Sequence, residues 1–471
     1  DTKAQLNLGI IYKYGKGVAK DYGQVFYWIN KAAEQGSAVA QFNLGVMYEY
    51  GKGVEEDYRQ AVQWYKKAAE QSHSDAQTSL GGMYENGRGV DEDYTEAVYW
   101  HKKAAEQGDT RAQLNLGNFY KNGKGFAEDY RQAFYWYKKV AEQGDAGAQL
   151  NIAVMFEDGK GVREDYGQAF HWYKKAAVQG QAEAQNSLGW MYENGKGVKQ
   201  DYANAIIWYK KAAEQFKLTT FGKSKHYLLR CLYVQDEKSL FFNQLDYFIN
   251  QGEIHPMIGS LGCRSALRYG IERPNLFCKD PLKYVLKTDL NNQYDFEKIF
   301  VKTARTILNE NRIPDKRQEL LTNGRQTSGN LFKLERDFTE EIQNIIRSEI
   351  EKYQVHFKDS EEGFITSWPT DYSLYGWFVS MKSGGKLRPH MHENGWISGS
   401  IYINVPSKSK PENGNFVVCI EEEYLTGENR NQEKNIDVVT GSLCLFPASL
   451  LHYTIPFESE EKRIVLAFDV I

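Results

Sequence analysis

The apolar positions of the first 215 residues follow a helical spacing that restarts every 36 residues. In the second copy, Leu44, Met47 and Tyr48 fall at i, i+3 and i+4, which predicts one face of a short helix. Gly51 then predicts a turn, and Asp57 is suited to cap a second helix. The apolar stripe of that second helix comprises Ala61, Trp64, Tyr65, Ala68 and Ala69. Each copy therefore predicts a pair of helices.

Three landmarks fix the phase of the repeat. An Ala-Gln pair begins at Ala4, Ala40, Ala76, Ala112, Ala148 and Ala184; tryptophan recurs at Trp28, Trp64, Trp100, Trp136, Trp172 and Trp208; and aspartate recurs at Asp21, Asp57, Asp93, Asp129, Asp165 and Asp201. One pair of helices cannot bury its stripe alone, so six copies are expected to stack into an α-α superhelical solenoid over residues 1–215. Because the landmarks recur with the architecture, we interpret them as structural.

The unit reads A-Q-x-x-L-G-x-x-Y, then G-K/R-G, then D-Y-x-x-A-x-x-W-x-x-K-A-A-E-Q-G, with small variations. It resembles the Sel1-like repeat, a relative of the tetratricopeptide repeat. The resemblance implies an array that binds a protein or peptide partner.

After residue 215 the rhythm stops. Residues 216–322 keep helical spacing, for example at Leu228, Leu229 and Leu232. We interpret this region as a helical connector that covers the end of the solenoid.

The last third of the chain, residues 323–471, changes to the pattern of β-strands. Short runs of β-formers, with polar and apolar residues alternating in some, are separated by Gly, Asn and Pro, at 377–381, 400–405, 416–420, 442–446 and 464–470. Several short strands without intervening helices predict an antiparallel barrel or jelly roll. The chain is thus expected to be a multidomain α plus β protein.

Composition narrows the class of function. A net charge of -4 gives no pull toward nucleic acid or anionic membranes, and no apolar run is long enough to span a bilayer. The five cysteines are far apart and form no C-x-x-C, which favours reduced thiols in the cytoplasm. The sequence begins at Asp1 rather than Met, so a removed leader and a secreted or translocated form stay open.

Candidate chemistry falls within the predicted strands. His390 and His392 form an H-x-H pair whose rings would share one face of an extended segment. His452 follows a later strand, and Arg463 comes eleven residues after it. Neutral imidazoles suit iron, and the fork of an arginine suits a carboxylate.

This order is similar to that of the 2-oxoglutarate- and Fe(II)-dependent oxygenases, whose fold is a double-stranded β-helix. The motif H-x-H-x-x-x-x-x-S-G-x-x-Y of a bacterial and phage group matches His390, His392, Ser398, Gly399 and Tyr402, with a further similar stretch at 323–332. The resemblance implies Fe(II) on His390, His392 and His452, and 2-oxoglutarate as cosubstrate, with ascorbate as an optional reductant. It also implies that Arg463 binds the distal carboxylate of 2-oxoglutarate and that the hydroxyl of Tyr402 reaches this cosubstrate.

One departure from the family pattern leaves two ligand sets open. The usual motif is H-x-D or H-x-E, and here His392 stands at the carboxylate position. Either His390, His392 and His452 form a three-histidine site, or His392 and His452 bind with Asn394 in the carboxylate position and His390 behind them. We favour the first set, because asparagine is a poor ligand for iron, and we place Glu393 on the opposite face of the strand.

Three hypotheses for function follow. The first is a dioxygenase that hydroxylates a protein or peptide recruited by the repeats. The second is a non-catalytic interaction scaffold with a degenerate oxygenase domain, and the third is a small-molecule oxygenase. No nucleic-acid or membrane partner is expected.

Overall fold

The 36-residue period corresponds to pairs of helices in a computed structural model of the protein. The structure describes residues 1–125, 127–215, 223–310, 312–316, 318, 320–393, 395–421 and 432–471. These residues form two compact units, 1–231 and 232–471. The repeat region holds α1 (Thr2–Tyr14), α2 (Tyr22–Glu34), α3 (Ala38–Glu49), α4 (Tyr58–Glu70), α5 (Ser74–Asn86), α6 (Tyr94–Glu106), α7 (Thr110–Asn122), α8 (Tyr130–Glu142), α9 (Ala146–Asp158), α10 (Tyr166–Val178), α11 (Ala182–Asn194) and α12 (Tyr202–Gln215).

The recurring aspartates cap the second helix of each pair. Asp57 is extended just before α4, and its side chain accepts a hydrogen bond from the backbone N–H of Gln60 at 3.0 Å. The same contact recurs in the other copies, at Asp21, Asp93, Asp129, Asp165 and Asp201. Each cap satisfies a backbone donor that the helix leaves unpaired, which explains the recurrence of the residue.

Buried glutamines join consecutive repeats. Gln41 donates to the backbone carbonyl of Ala33 at 3.2 Å and accepts from the amide of Gln71 at 2.7 Å. The same arrangement recurs for the buried glutamines Gln77, Gln113 and Gln149, which accept from Gln107, Gln143 and Gln179. Every one of these buried amides thus has partners for both its donor and its acceptor, as burial of a polar group requires.

A tyrosine on the second helix fills the space between neighbouring repeats. The ring of Tyr65 packs on Gly45, where an added Cβ would lie 2.6 Å from Cδ1 of Tyr65. Its hydroxyl donates to Glu49, and the equivalent Tyr209 donates to Glu193 at 2.8 Å. The tyrosine recurs at Tyr137 and Tyr173, whereas Ile29 and His101 replace it in the first and third repeats. At Gly45 the glycine is required because the tyrosine ring occupies the volume of a Cβ, whereas the fifth repeat has Ala153 at this position.

The second unit combines helices with two antiparallel sheets. After α13 (Lys223–Val234), its helices are α14 (Lys238–Asn250), α15 (Pro256–Tyr269), α16 (Lys302–Asn309), α17 (Leu331–Leu334), α18 (Arg336–His356) and α19 (Gly363–Thr366), with a 3-10 turn at Pro281–Tyr284 and a π turn at Glu297–Val301. The strands are β1 (Leu286–Asp289), β2 (Asp315–Lys316), β3 (Leu321–Thr327), β4 (Leu374–Leu387), β5 (Ile397–Asn404), β6 (Phe416–Cys419), β7 (Glu433–Ile436), β8 (Ser442–Pro447), β9 (Leu451–Thr454) and β10 (Arg463–Val470).

The strand order is β1-β8-β5-β10-β4-β3-β2 in the larger sheet and β7-β6-β9 in the smaller. Alternate residues of a strand face opposite sides of a sheet. Ile401 of β5 and Leu466 of β10 pack with Ile346 of α18 on the helical side. Tyr402 follows Ile401 on β5, and Val465 precedes Leu466 on β10. These two residues pack on the other side of the sheet, with strands of the smaller sheet. The space between the two sheets is where functional side chains of β5 and β10 point.

The predicted α plus β jelly-roll architecture is confirmed, with one difference in the connector. Residues 286–289 form β1, which pairs with β8 from Leu286↔Leu445 to Asp289↔Ser442. The region predicted to be a helical connector therefore also supplies an edge strand of the larger sheet. None of the helices in the described part of the chain has both the length and the apolar character needed to cross a membrane.

Candidate metal centre

Three histidines from two separate stretches of the chain meet between the sheets. His390 and His452 form an antiparallel bridge with two backbone hydrogen bonds, at N–O distances of 3.2 Å and 2.8 Å. His452 lies on β9, which pairs with β6. One ring nitrogen from each of His390, His392 and His452 lies within 4.8 Å of the others. A divalent ion binds imidazole nitrogen at about 2.0–2.1 Å, so two ligand atoms of one ion are at most about 4.2 Å apart. The three rings would therefore have to move slightly toward one another to share one ion.

Hydrogen bonds determine which nitrogen carries the proton in two of these rings. Nδ1 of His390 lies 3.0 Å from the carbonyl of Arg388, which accepts hydrogen bonds and cannot donate them. Nδ1 of His392 lies 2.6 Å from Oδ1 of Asp469, so this nitrogen also donates. Nε2 of His390 and Nε2 of His392 lie 3.3 Å apart, and in the neutral form of both rings they present lone pairs to each other. Two facing lone pairs repel, and a cation bound by both removes the repulsion.

The charge state of the histidines also fits a metal. Burial, with a smaller effect from His392, lowers the pKa of His390 to about 4. Burial likewise lowers the pKa of His452 well below its ordinary value. Both rings are therefore neutral near pH 7, the form that binds a metal. Nδ1 of His452 is buried and has no hydrogen-bond partner among the described residues, which leaves a donor or acceptor unsatisfied.

Asp469 and Ser398 hold His392 in its orientation. Ser398 donates to Oδ1 of Asp469 at 2.8 Å, and its Oγ lies 3.1 Å from Nδ1 of His392. Both residues are largely buried. A carboxylate on the outer nitrogen of a metal-binding histidine fixes the tautomer and increases the basicity of the ligand. The arrangement directs Nε2 of His392 toward the other two histidines.

Arg463, at the start of β10, is a buried cation without an anionic partner in the described part of the chain. Its relative exposure is 0%. Nη1 donates to the carbonyl of Gly414, whereas Nε and Nη2 have no acceptor among the described residues. Its Cζ lies 5.0 Å from the centroid of the Tyr402 ring, and burial lowers its pKa. A buried guanidinium with unpaired donors is costly, so the site fits a bound carboxylate.

Comparisons with known proteins separate the two parts of the chain. The Sel1 repeat family matches at residues 2–37, 38–73, 74–109, 110–145, 146–181 and 182–215. A Sel1 repeat protein from Oxalobacter formigenes is 38% identical, with a TM-score of 0.39, over 45% of this chain and 85% of that one. The chain belongs to the Sel1 repeat family.

A second solved structure and a second family extend the comparison. The protective antigen c5321 of uropathogenic Escherichia coli is 35% identical to this Sel1 repeat protein, with a TM-score of 0.52, over 57% of this chain. The match spans 58% of that antigen's length. Residues 375–469 match the family described as "Putative 2OG-Fe(II) oxygenase". No curated protein sequence shows significant similarity to the chain. Both family resemblances seen in the sequence are thus confirmed.

In this Sel1 repeat protein the three histidines line a cleft of about 560 Å³. Trp377 packs edge-on against His392 at a ring-centroid distance of 5.2 Å, and Phe416 lies 5.8 Å from His452. Tyr402 also lines the cleft and is in contact with Arg463. The cleft size falls within the range of about 300–1,000 Å³ that is usual for ligand sites.

The structure differs from the sequence prediction in the backbone conformation of the H-x-H pair. His390 makes a bridge, but residues 391–393 are irregular and end in a turn, so the pair is not an extended strand. The two rings converge through that turn rather than through strand alternation. Glu393, expected on the opposite face, also lines the cleft. The alternative ligand set depends on Asn394, which lies outside the described residues.

Sequence reasoning missed Asp469. The signal was present in β10, where Arg463, Val465, Ala467 and Asp469 alternate with residues of the apolar core. A carboxylate on the same face as Arg463 would be expected to reach the same cleft. The glycine of the motif also has a physical reason, because a Cβ on Gly399 would lie 2.2 Å from Cζ of Phe468.

Proposed function

We propose that the β-sheet unit is an Fe(II)- and 2-oxoglutarate-dependent dioxygenase that hydroxylates a protein or peptide recruited by the Sel1 repeats. The observation that carries the proposal is the pairing of two unsatisfied features of the same interior. One is the group of three histidines, in which Nε2 of His390 and Nε2 of His392 face each other. The other is the buried Arg463 with unused donors. The match of residues 375–469 to the oxygenase family supports it.

His390, His392 and His452 would hold Fe(II), which when bound supplies oxidation of a C–H bond by dioxygen, coupled to decarboxylation of 2-oxoglutarate. Arg388 and Asp469 keep the protons of His390 and His392 on Nδ1. Their Nε2 lone pairs are therefore available without any change of tautomer. His390 and His452 need lose no proton on binding near pH 7, because burial already holds both rings neutral.

Arg463 would bind the distal carboxylate of 2-oxoglutarate through Nε and Nη2. These two donors have no acceptor among the described residues, and a guanidinium fork matches both oxygens of a carboxylate. Tyr402 lines the cleft and stacks against the guanidinium. We assign Tyr402 the role of a second contact to the same cosubstrate. Together they would orient it along the interior toward the histidines.

The walls of the cleft would limit access of water. Trp377, Val379 and Phe416 form an apolar lining beside the histidines. Exclusion of water strengthens electrostatic contacts and protects reactive species from side reactions. The repeats support a protein or peptide substrate, since solenoids present extended binding surfaces. The five free cysteines within the described residues support a reducing compartment, and we place the reaction in the cytoplasm.

A non-catalytic scaffold is the rival function, and the absence of a carboxylate at the position of His392 favours it. The carboxylate of Asp469 argues against this rival function. Asp469 lies 2.6 Å from Nδ1 of His392, so the negative charge missing from the ligand set is present on the far side of the His392 ring. This arrangement supports retained metal chemistry, because such outer carboxylates tune a bound ion.

Two measurements test the proposal. Full-length protein, prepared without oxygen and given Fe(II), 2-oxoglutarate and then air, is expected to release succinate in an iron-dependent reaction followed by mass spectrometry. Absence of succinate with intact metal binding would favour the scaffold. For the ligand set, calorimetry with Mn(II) as a redox-inert substitute should show loss of binding in His390→Ala, His392→Ala and His452→Ala. His171→Ala, an exposed residue of the repeats, is the control and should bind normally.

A further inference from the structure

The first repeat lacks the two residues that fill the equivalent space in most other repeats. Tyrosine at this position donates to an acidic residue in the second, fifth and sixth repeats, as Tyr65–Glu49, Tyr173–Glu157 and Tyr209–Glu193. In the first repeat the tyrosine is replaced by Ile29 and the acidic residue by Lys13. A ring and a carboxylate have thus been exchanged for a shorter side chain and a cation.

A cavity of about 290 Å³ lies where the tyrosine ring would be. Val25, Ile29 and Met47 are its buried apolar lining, with relative exposures of 5%, 4% and 5%. Gly9 also lines it, and Ile29 covers this glycine without filling the space as Tyr65 does over Gly45. Because protein interiors are otherwise close-packed, an open apolar cavity indicates that the first repeat has a role beyond packing.

The mouth of this cavity is positively charged. Lys3, Lys13 and Lys52 line it, and no acidic residue does so. Among the described residues none of the three lysines is within 4.0 Å of a carboxylate oxygen. Two amides, those of Asn7 and Asn43, also line the cavity, and Asn43 occupies the position one repeat after Asn7. An occupant should therefore be apolar at one end and anionic at the other.

We propose that this cavity binds the C-terminal residue of a peptide. The apolar side chain would enter the space over Ile29, and the terminal carboxylate would pair with Lys13 and its neighbouring lysines. Asn7 and Asn43 can both donate to and accept from a peptide backbone, which a simple fatty acid does not offer. The volume lies at the lower end of the usual range for ligand sites and suits one side chain better than a long acyl chain. The proposal is independent of the oxygenase function.

Fluorescence anisotropy of the full-length chain with labelled hexapeptides tests the site. The probes are Gly-Ser-Gly-Ser-Gly followed by Leu, Phe, Met or Ser, each with a free carboxylate and each as the amide. We expect saturable binding of at least one peptide that ends in an apolar residue. The matching amide and the peptide ending in Ser should bind at least tenfold more weakly. Decanoate is the competitor that represents a fatty acid.

Three variants localise the effect. Lys13→Glu should weaken binding at least tenfold, and Ile29→Tyr should abolish it by filling the cavity with the side chain that other repeats carry. Lys66→Gln, which removes an exposed charge of the second repeat, should bind as the parent does. Ile29→Tyr should also keep or increase the melting temperature, and if it fails to fold, Lys13→Gln provides the same test of the charge.

Several outcomes would overturn the proposal. Equal binding of acid and amide would remove the carboxylate from recognition. Unchanged binding in Ile29→Tyr would place the peptide elsewhere. If decanoate binds more tightly than every peptide, the ligand is a fatty acid. If no probe shows saturable binding at concentrations up to about 1 mM, which corresponds to a weak binding free energy of about -4 kcal/mol, the cavity does not bind peptide C-termini.

Discussion

The recurring buried glutamines of the repeats and the buried polar groups near the histidines of the β-sheet unit differ in how far their hydrogen bonds are satisfied. In the repeats, each of the buried glutamines Gln41, Gln77, Gln113 and Gln149 accepts from a glutamine of the next repeat and donates to a backbone carbonyl. In the β-sheet unit, Nδ1 of His452 and two nitrogens of Arg463 are buried without partners in the described part of the chain. Buried polar atoms without partners also occur elsewhere among the described residues, at Trp28 and Thr78 in the repeats and at Trp368 and Ser449 in the β-sheet unit. His452 and Arg463 differ from these because Tyr402 connects them: it lines the cleft with His452 and contacts the guanidinium of Arg463. Unsatisfied groups that cluster indicate a site for a ligand.

The largest expected effect concerns Arg463. Arg463→Ala should weaken binding of 2-oxoglutarate to the Mn(II)-loaded protein by roughly 2–4 kcal/mol, the scale of truncating one partner of a buried charged pair. The reason is that the substitution removes a fully buried guanidinium whose Nε and Nη2 have no acceptor among the described residues. Calorimetric titration of 2-oxoglutarate measures the change, and affinity for Mn(II) itself should barely change.

Arg463→Lys separates charge from geometry in this test. Lysine keeps the charge but loses the fork, so it should recover only part of the affinity. Arg325→Ala removes an exposed arginine paired with Asp315 and serves as a control. If Arg463→Ala binds 2-oxoglutarate as tightly as the parent, the unpaired donors of Arg463 have another purpose.

His101, like Ile29, is an exception to the tyrosine found in the second, fourth, fifth and sixth repeats. It replaces the tyrosine of the other repeats, is fully buried, and has an unpartnered Nδ1 among the described residues. Burial lowers its pKa from 6.5 to about 4. The unfolded chain therefore takes up a proton between these values while the folded chain does not. Stability should be complete above pH 6.5 and fall by up to roughly 3 kcal/mol as the pH falls toward 4.

Urea unfolding followed by helical circular dichroism at pH 7.5 and pH 5 measures this loss. His101→Tyr restores the residue of the other repeats and should remove that part of the pH dependence, whereas other titrating groups remain in both proteins. NMR titration of the His101 ring gives its pKa directly. A titration midpoint near 6.5 would show that the ring is solvated and would contradict the prediction.

Asp469 allows a finer test of the metal centre. Asp469→Asn keeps an acceptor for Nδ1 of His392 but removes the negative charge, so affinity for Mn(II) should fall by about 10–100-fold. That corresponds to about 1.4–2.7 kcal/mol. Asp359→Asn, at an exposed position, should leave affinity unchanged. Equal affinity in Asp469→Asn and the parent would mean that the carboxylate positions no metal ligand.

The repeats could be predicted from sequence because every structural requirement recurs six times. Asp57 caps its helix as the pattern predicted, and the glycine turns have the expected positive φ, as at Gly51 with φ 61°. Ser72, the exception to the glycine at the end of each repeat, adopts the same left-handed conformation as those glycines. A local pattern suffices where neighbours in space are also neighbours in the repeat.

The metal centre could be predicted only in part, because its contacts join distant positions. The order of His390, His392, His452 and Arg463 pointed to one site, and the structure brings the three histidines together. The contact of Asp469 with His392 spans 77 residues and has no local signature. β1 was missed for a similar reason, since its pairing with β8 is set by residues about 150 positions away.

The smallest expected effect concerns Ser72 and returns to the repeats. Its φ is 65°, in the left-handed region, where the equivalent Gly36, Gly108 and Gly144 have φ of 89°, 92° and 100°. A residue with a Cβ pays about 1–2 kcal/mol there, while glycine loses about 0.5–1 kcal/mol more conformational entropy on folding. Ser72→Gly should therefore stabilise the fold by roughly 0.5 kcal/mol, measured as a higher urea midpoint. Ser37→Gly is the matched control, because Ser37 has φ of -67° and caps α3, so the same exchange there should destabilise slightly. If both substitutions change the free energy of unfolding in the same direction, the backbone angle does not decide the effect.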